Sequence, residues 1–379
     1  MPEPSLDPRI DALADVLGAE PADLRFFRSP GRVNLIGGHV DYHEGWVVPM
    51  AIDHEIVVGV RPRDDGRIVA RSLDLDGVVD VAADGSDDPR RVVPAWGRIV
   101  GAVAGTLADE GRDAVGADIA VATSLAIGGG LSSSAAFEVA IALALCDAAA
   151  FSLPIRAFAL AAQRAEHLAT GVPCGVQDQM AALCGLEDHA LLLDCRTFEL
   201  EWLPIPPSVR VLIVHSGVPR TLEGSPYAQR RSQGEAVASR LGLRVLRDAT
   251  AEQVQHDPRG RHVVSEMRRV LEFADALRRG DAPTLGSLML AGHASLRDDM
   301  EVSTPDLDAL VECLVDAGAY GARLTGGGFG GCVVALVPEE RADTIAHDAP
   351  VRYRERTGRA PTSTLVRAAN GAGPFPLVP

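Results

Sequence analysis

Apolar positions along the first 200 residues switch between a period of two and a period near 3.6. "LRFFRSP" alternates, "GRVNLIGGHVDYHEG" (Gly31–Gly45) is a polar turn, and "WVVPMAI" resumes the apolar run, which predicts strand, turn and strand. "EIVVGVRPR" and "GRIVARSLDL" read as antiparallel strands, Trp96–Gly111 as a helix and Ala117–Ile127 as a strand. A glycine turn then opens a long apolar helix, "GGGLSSSAAFEVAIALALCDAA", followed by a helix over Ile155–Thr170 and a strand, "HALLLDC". "PIPPS" at Pro204–Ser208 interrupts the periodicity, placing a first domain at 1–204 and a second at 205–349, with the tail 350–379 available to rejoin the first. The second domain reads as the strand "RVLIVHSG", four helices, and two strands, "YGARLTG" and "CVVALV", around "GGGFGG". The closing "TSTLVRAANGAGPFPLVP" predicts one strand and a loose tail.

A chain of 379 residues with 47% hydrophobic content is long enough for about two packed domains. Its net charge of −16 argues against nucleic acid or an anionic membrane as the main partner. The longest apolar run, "AAFEVAIALALCDAAAF", contains Glu138 and Asp147 and reads as a buried helix rather than a membrane span. The acidic N-terminus lacks an apolar signal segment, and Cys174, Cys184 and Cys195 show no ligand-like spacing. A cytoplasmic protein with reduced thiols, acting as a monomer, is expected.

All 36 basic residues are arginine, so Schiff-base chemistry and a phosphate-loop lysine are excluded. Phosphate binding would fall to backbone N–H groups, a helix N-terminus, a metal or arginine. "SLAIGGGLSSSAA" (Ser124–Ala136) supplies that arrangement: a strand end, three glycines that let the backbone approach an anion, and a helix start at a run of serines. "GGGFGG" (Gly326–Gly331) matches G-x-G-x-x-G, but the strand-like "CVVALV" follows where a dinucleotide fingerprint needs a helix. It reads as a tight glycine hairpin or a backbone surface against a ligand.

Three of these segments together resemble the galactokinase branch of the GHMP small-molecule kinases. They are "GRVNLIGGHVDYHEG", "GGGLSSSAA" and "RLTGGGFGGC". The likeness continues through "VPCGVQDQ", "LLLDCR", "SPYAQRR", "RHVVSEMRR" and "SLRDDMEVSTPDLDALV", covering residues 25 to 336 in order. The resemblance implies an α+β, two-domain GHMP kinase fold, with an N-terminal S5-domain-2-like α/β domain, a C-terminal ferredoxin-like α+β domain and the active site in the cleft between them. It implies transfer of the ATP γ-phosphate to a sugar's anomeric hydroxyl, with Mg²⁺. By position, Asp178 and Arg32 match the catalytic pair, and Asp178 fits both a base and an orienting group. His39, Asp41 and Tyr227 match sugar contacts. Gly128, Gly129, Gly130, Leu131, Ser132, Ser133 and Ser134 match the ATP loop, and Ser133 and Glu166 the magnesium site. Taken singly, Asp178 fits a helix cap, His39 a structural histidine, Tyr227 a half-buried aromatic and Glu166 a solvated helix residue; the shared order of the motifs raises them together.

Gly38 departs from the family, which places at this substrate-binding position a glutamate for the sugar's C6 hydroxyl. Losing a hydrogen bond to a charged acceptor is worth roughly 1.5–3 kcal/mol. Three readings stay open: water fills the gap and D-galactose remains the substrate, a sugar lacking C6 such as L-arabinose is preferred, or a C6 carboxylate as in D-galacturonate is admitted. Galactose comes first, because the rest of the chain follows galactokinase. His43, Glu44 and Ala126 are smaller departures. A non-catalytic sugar and ATP sensor is the rival class, and the intact "SSSAA" favours an enzyme.

Overall fold

The computed structural model describes residues 7–125, 130–218 and 226–375. The first half builds β1 (Arg25–Ile36), β2 (Trp46–Arg63), β3 (Arg67–Ser72), β4 (Val78–Ala82), β5 (Gly116–Thr123), β6 (His189–Asp194) and β7 (Leu200–Pro204). Its helices are α1 (Pro8–Leu17), α2 (Gly97–Asp109), α3 (Ser133–Ala148), α4 (Ile155–Thr170) and α5 (Gln177–Cys184). With β12 (Gly373–Pro374) the strands form one sheet in the order β12-β1-β2-β5-β3-β4, and β6 and β7 continue it from the other end of β2. β2 is buried along most of its length because helices cover both faces, which is why its sequence lacks clean alternation. α2, α3 and α4 pack into the main core on one face, whereas α1 packs Ile10 and Leu13 against Phe26, Val57 and Ala120 on the other.

β2 and β3 are antiparallel, as their sequences predict, but they are not neighbours. β5 lies between them, antiparallel to β2 and parallel to β3. A parallel partner arrives by crossover, through α2, so local alternation carries no trace of it.

The second half contains β8 (Val209–His215), α6 (Tyr227–Arg240), α7 (Ala251–Val254), α8 (Pro258–Arg279), α9 (Ala282–Asp298), α10 (Pro305–Ala317), β9 (Gly321–Leu324), β10 (Cys332–Pro338), α11 (Ala342–Thr357) and β11 (Thr362–Val366). Its antiparallel sheet has the order β11-β8-β10-β9, which is the ferredoxin-like βαββαβ arrangement with a helical insertion after the first strand. β10 follows the glycine run directly and pairs with β9, so that run closes a hairpin. After β11 the chain returns to the first sheet: Ala368 bridges Ile52, and Phe27 and Arg28 pair with Pro374 and Gly373. The described tail is therefore pinned rather than loose. Among the described residues no helix is long and apolar enough to cross a membrane.

A separate apolar cluster joins the halves, with Val40, Val47, Val176, Met180 and Leu193 meeting Val237, Leu246, Val263 and Met267. His43 lies at this junction, 1% exposed, and a Cβ on Gly234 would sit 2.3 Å from its Nε2, so α6 needs glycine there. Burial, with the charge of Arg231, pushes His43 down from 6.5 to about 3, and burial pushes His262 on α8 down to about 4. Both stay neutral in the folded chain but take up protons near pH 6.5 when unfolded. Stability is therefore complete above about pH 6.5 and falls below it, by about 1.4 kcal/mol per pH unit for each histidine until its folded value is reached. Urea unfolding at pH 7.5 and 5 should show this loss, and His43→Asn should reduce it; an equal loss in the variant would contradict the assignment.

Candidate active site

β1 ends where α3 and α5 begin, and this junction brings distant residues into one cavity of about 190 Å³. Arg32, on β1, donates from Nε to Asp178 Oδ1 at 2.6 Å and from Nη2 to Oδ2 at 2.5 Å. This is the bidentate geometry that a planar guanidinium makes with a carboxylate. The remaining nitrogen, Nη1, donates to the Gly130 carbonyl at 3.1 Å, so Arg32 ties α5 to the glycine loop before α3. Ser132 Oγ also donates to Asp178 Oδ2, and Gln177 Nε2 donates to Oδ1 at 3.3 Å. Burial pushes the Asp178 carboxyl up, but the Arg32 charge and these hydrogen bonds together hold it below the usual carboxylate range.

The serine run divides its work. Ser132 has φ 55°, a left-handed conformation uncommon outside glycine, and that bend turns its hydroxyl to Asp178. Ser134 donates to Glu166 Oε1 at 2.9 Å, and Ser133 lines the cavity beside it. Leu131 keeps its side chain in the core and contributes its carbonyl, which accepts from Arg32 N at 3.1 Å. Gly128 and Gly129, with Ala126, lie outside the described residues.

Glu166, on α4, takes Gln179 Nε2 at 2.9 Å and the Cys174 thiol at 3.2 Å on Oε2. The same Gln179 nitrogen reaches Glu138 Oε2 at 2.9 Å. Burial, then the charge of Asp178, pushes Glu166 above the ordinary carboxylate range. Its two oxygens and the Ser133 hydroxyl make an oxygen donor set.

At the other end stand Gly38, His39, Asp41 and Tyr227. Burial and the Asp178 charge push Asp41 up to about 6. Gly175 gives it room, since a Cβ at that position would lie 2.0 Å from Asp41 Oδ2. His39 has φ 60° and both ring nitrogens engaged, Nδ1 with the Tyr42 hydroxyl at 2.9 Å and Nε2 with the Gly327 carbonyl at 3.2 Å. Its ring packs on Tyr227 with centroids 5.2 Å apart. His39 thus offers the cavity a ring edge whose nitrogens already have partners. Gly38 borders the cavity, but its Cβ direction points at Arg323 Nη2, 3.0 Å away, and at Leu296.

The cavity therefore gathers every sequence-predicted site residue that lies within the described chain except Leu131. It adds Asn34, Val172, Cys174, Gly175, Gln177, Gly326 and Gly327, all from segments already conspicuous in the sequence. A second cavity, about 200 Å³ and mostly apolar, lies across Ser133 and Ser134 and is lined by Leu75, Trp96, Ile99 and Phe137. Sequence reading missed it. A tryptophan at the start of α2 is its only local signal.

The chain matches the galactokinase galactose-binding signature over residues 14–62, the GHMP kinase N-terminal domain over 98–186 and the GHMP kinase C-terminal domain over 273–354. It is 44% identical over 363 residues to a galactokinase of Roseiflexus sp. (strain RS-1), covering 91% of this chain and 92% of the relative. A crystal structure of Lactococcus lactis galactokinase complexed with galactose superimposes with a TM-score of 0.91 at 28% identity, covering 97% of this chain and 99% of that one. Methanococcus jannaschii mevalonate kinase, at 18% identity and a TM-score of 0.67 over 91% of this chain and 98% of its own, shares the fold. With its signature segments, its two-domain fold and a close relative along nearly its whole length, the chain belongs to the galactokinase family of the GHMP kinases.

Proposed function

We propose that the protein transfers the γ-phosphoryl group of ATP to the anomeric hydroxyl of D-galactose, giving galactose 1-phosphate and ADP. The observation that carries this reading is the Arg32–Asp178 pair, which stands in one cavity between the phosphate loop and the polar end around Asp41. Phosphoryl transfer asks the protein mainly for positioning and charge stabilisation. Arg32, anchored to Gly130, can face the transferred group, while Asp178 faces the attacking hydroxyl.

Both Asp178 oxygens already accept from Arg32, and a carboxylate held below its usual range is a weak ground-state base. We assign it first to orienting the hydroxyl, with proton acceptance late, as the forming bond acidifies that hydroxyl. Asp41, Tyr227 and His39 form the sugar end. An ionised Asp41 can accept hydrogen bonds from two neighbouring hydroxyls. His39 would contribute a packing surface, since its nitrogens are engaged.

The donor set on the opposite wall fits Mg²⁺. Among the described residues no group of three or more His, Cys, Asp or Glu could hold a metal ion. Two protein oxygen donors, Ser133 and Glu166, completed by phosphate and water, is the usual way this ion is held. When bound, the ion would neutralise charge on the phosphates. Ser134 and Gln179 orient the Glu166 carboxylate toward that role. The apolar cavity around Trp96 and Phe137, sharing Ser133 and Ser134 with the first, suits the flat base of the nucleotide.

Two outcomes test this reading. In an ADP-release assay with Mg-ATP, D-galactose should exceed L-arabinose, D-galacturonate and N-acetylgalactosamine by tenfold or more, with Asp178→Asn at least a thousandfold slower. A win for arabinose or galacturonate would instead tie Gly38 to a different sugar. Gly175→Ala should displace the Asp41 carboxylate and raise the galactose KM at least tenfold, with the ATP KM within threefold. Equal rises in both constants would remove Asp41 from the sugar end.

A further inference from the structure

The strand end that leads to His39 is gripped from the second domain on its donor and acceptor sides. The Gly37 and Gly38 N–H groups donate to Glu266 Oε1 at 2.9 and 3.2 Å, and the Gly38 carbonyl pairs with His262 Nε2 at 2.9 Å. One turn of α8 carries both partners. Three residues earlier, Asn34 N donates to Thr325 Oγ1 at 3.1 Å, and that hydroxyl donates to the Asn34 carbonyl at 3.3 Å.

Glu266 is wholly buried and is held as an anion by two arginines, with Arg323 Nη1 2.7 Å from Oε1 and Arg269 Nε donating to Oε2 at 2.8 Å. Burial opposes its ionisation, and the charges of Arg323 and Arg269 outweigh that cost. The surrounding chain makes room for this cluster. A Cβ on Gly292, inside α9, would lie 2.5 Å from Arg323 Nη1, so the helix carries glycine at an interior position that disfavours it. Arg323 thus lies between Gly292 of one domain and Gly38 of the other.

We propose that Glu266 is a positioning residue for the sugar end of the site, an interdomain anion that fixes the Gly37 and Gly38 amides and thereby the direction in which His39 and Asp41 enter the cavity. Only a carboxylate satisfies the three N–H donors aimed at it, Gly37 and Gly38 on Oε1 and Arg269 on Oε2, and also balances the Arg323 charge 2.7 Å from Oε1. A glutamine, whichever way its amide is flipped, turns an NH₂ toward a donor. The proposal rests on the sugar binding at this end of the cavity. A cluster that merely stabilised the core would lower stability without distinguishing sugar from nucleotide.

The test compares wild type with Glu266→Gln in the full chain. Ligand-free amide exchange over residues 36–41 is followed by mass spectrometry, and KM is measured for galactose and for ATP. We expect exchange at Gly37 and Gly38 at least tenfold faster, the galactose KM raised more than tenfold, and both the ATP KM and kcat within threefold. Exchange unchanged within twofold, or the two KM values rising together, would overturn the proposal. If Glu266→Gln fails to fold, His262→Phe, which removes the side-chain donor to the Gly38 carbonyl at the same strand end, is measured in its place with the same outcomes. A wild type inactive on galactose would refute the substrate, while the exchange measurement would still decide the clamp.

Discussion

A carboxylate drawn partly out of water at the floor of a cavity needs positive charge and hydrogen bonds to stay ionised, and Asp178 shows what that constraint does to a fold. Its neighbours are a guanidinium from β1, a hydroxyl from the start of α3 and an amide beside it on α5. These come from three segments far apart in sequence, so they meet only if the first sheet, the phosphate loop and α5 are all in place. The same Arg32 reaches the Gly130 carbonyl. One ion pair therefore sets the distance between the Gly130 loop and the Asp178 carboxylate.

Behind the cavity, too, buried charge is arginine against carboxylate. A chain without lysine must build each buried cation from guanidinium, whose planar fork can serve two or three acceptors at once. Arg32 spans a carboxylate and a carbonyl, and Arg323 and Arg269 share Glu266. Glycine provides the space these groups need. Gly175 stands against Asp41 and Gly292 against Arg323, positions where a methyl group would overlap a polar atom. The Gly130 end and the Asp41 end of the cavity are thus joined through charge and cleared by glycine, while the apolar cluster of Val40, Met180, Val237 and Met267 holds the halves together.

Much of this was legible in the sequence. α4 falls on Ile155–Thr170 as its periodicity predicts, and the strand after "GGGFGG" excludes a dinucleotide fingerprint. The signature residues Arg32, His39, Asp41, Glu166, Asp178 and Tyr227 share one cavity. What was not legible is non-local. No alternation pattern indicates that β5 slips between β2 and β3. Spacing cannot show that Ser134 rather than Ser133 bonds Glu166, because one residue along a helix start turns a side chain by about 100°. Nothing in the spacing around Glu266, on a helix rich in charged residues, singles it out, because Arg323, one of the two arginines that pair with it, comes from a distant strand. The sequence also drew attention to the missing side chain at Gly38, but not to its direction, which is toward Arg323.

The central claim is that Asp178, held ionised by Arg32, faces the anomeric hydroxyl across from the phosphate loop. The most direct measurement is a crystal structure of the protein with galactose, Mg²⁺ and a non-hydrolysable ATP analogue. The account predicts the anomeric oxygen within hydrogen-bond reach of Asp178 and in line with the γ-phosphorus, with the Arg32 guanidinium beside the transferred group. A sugar bound with its anomeric carbon turned away from Asp178, or a γ-phosphate out of line with that oxygen, would contradict it.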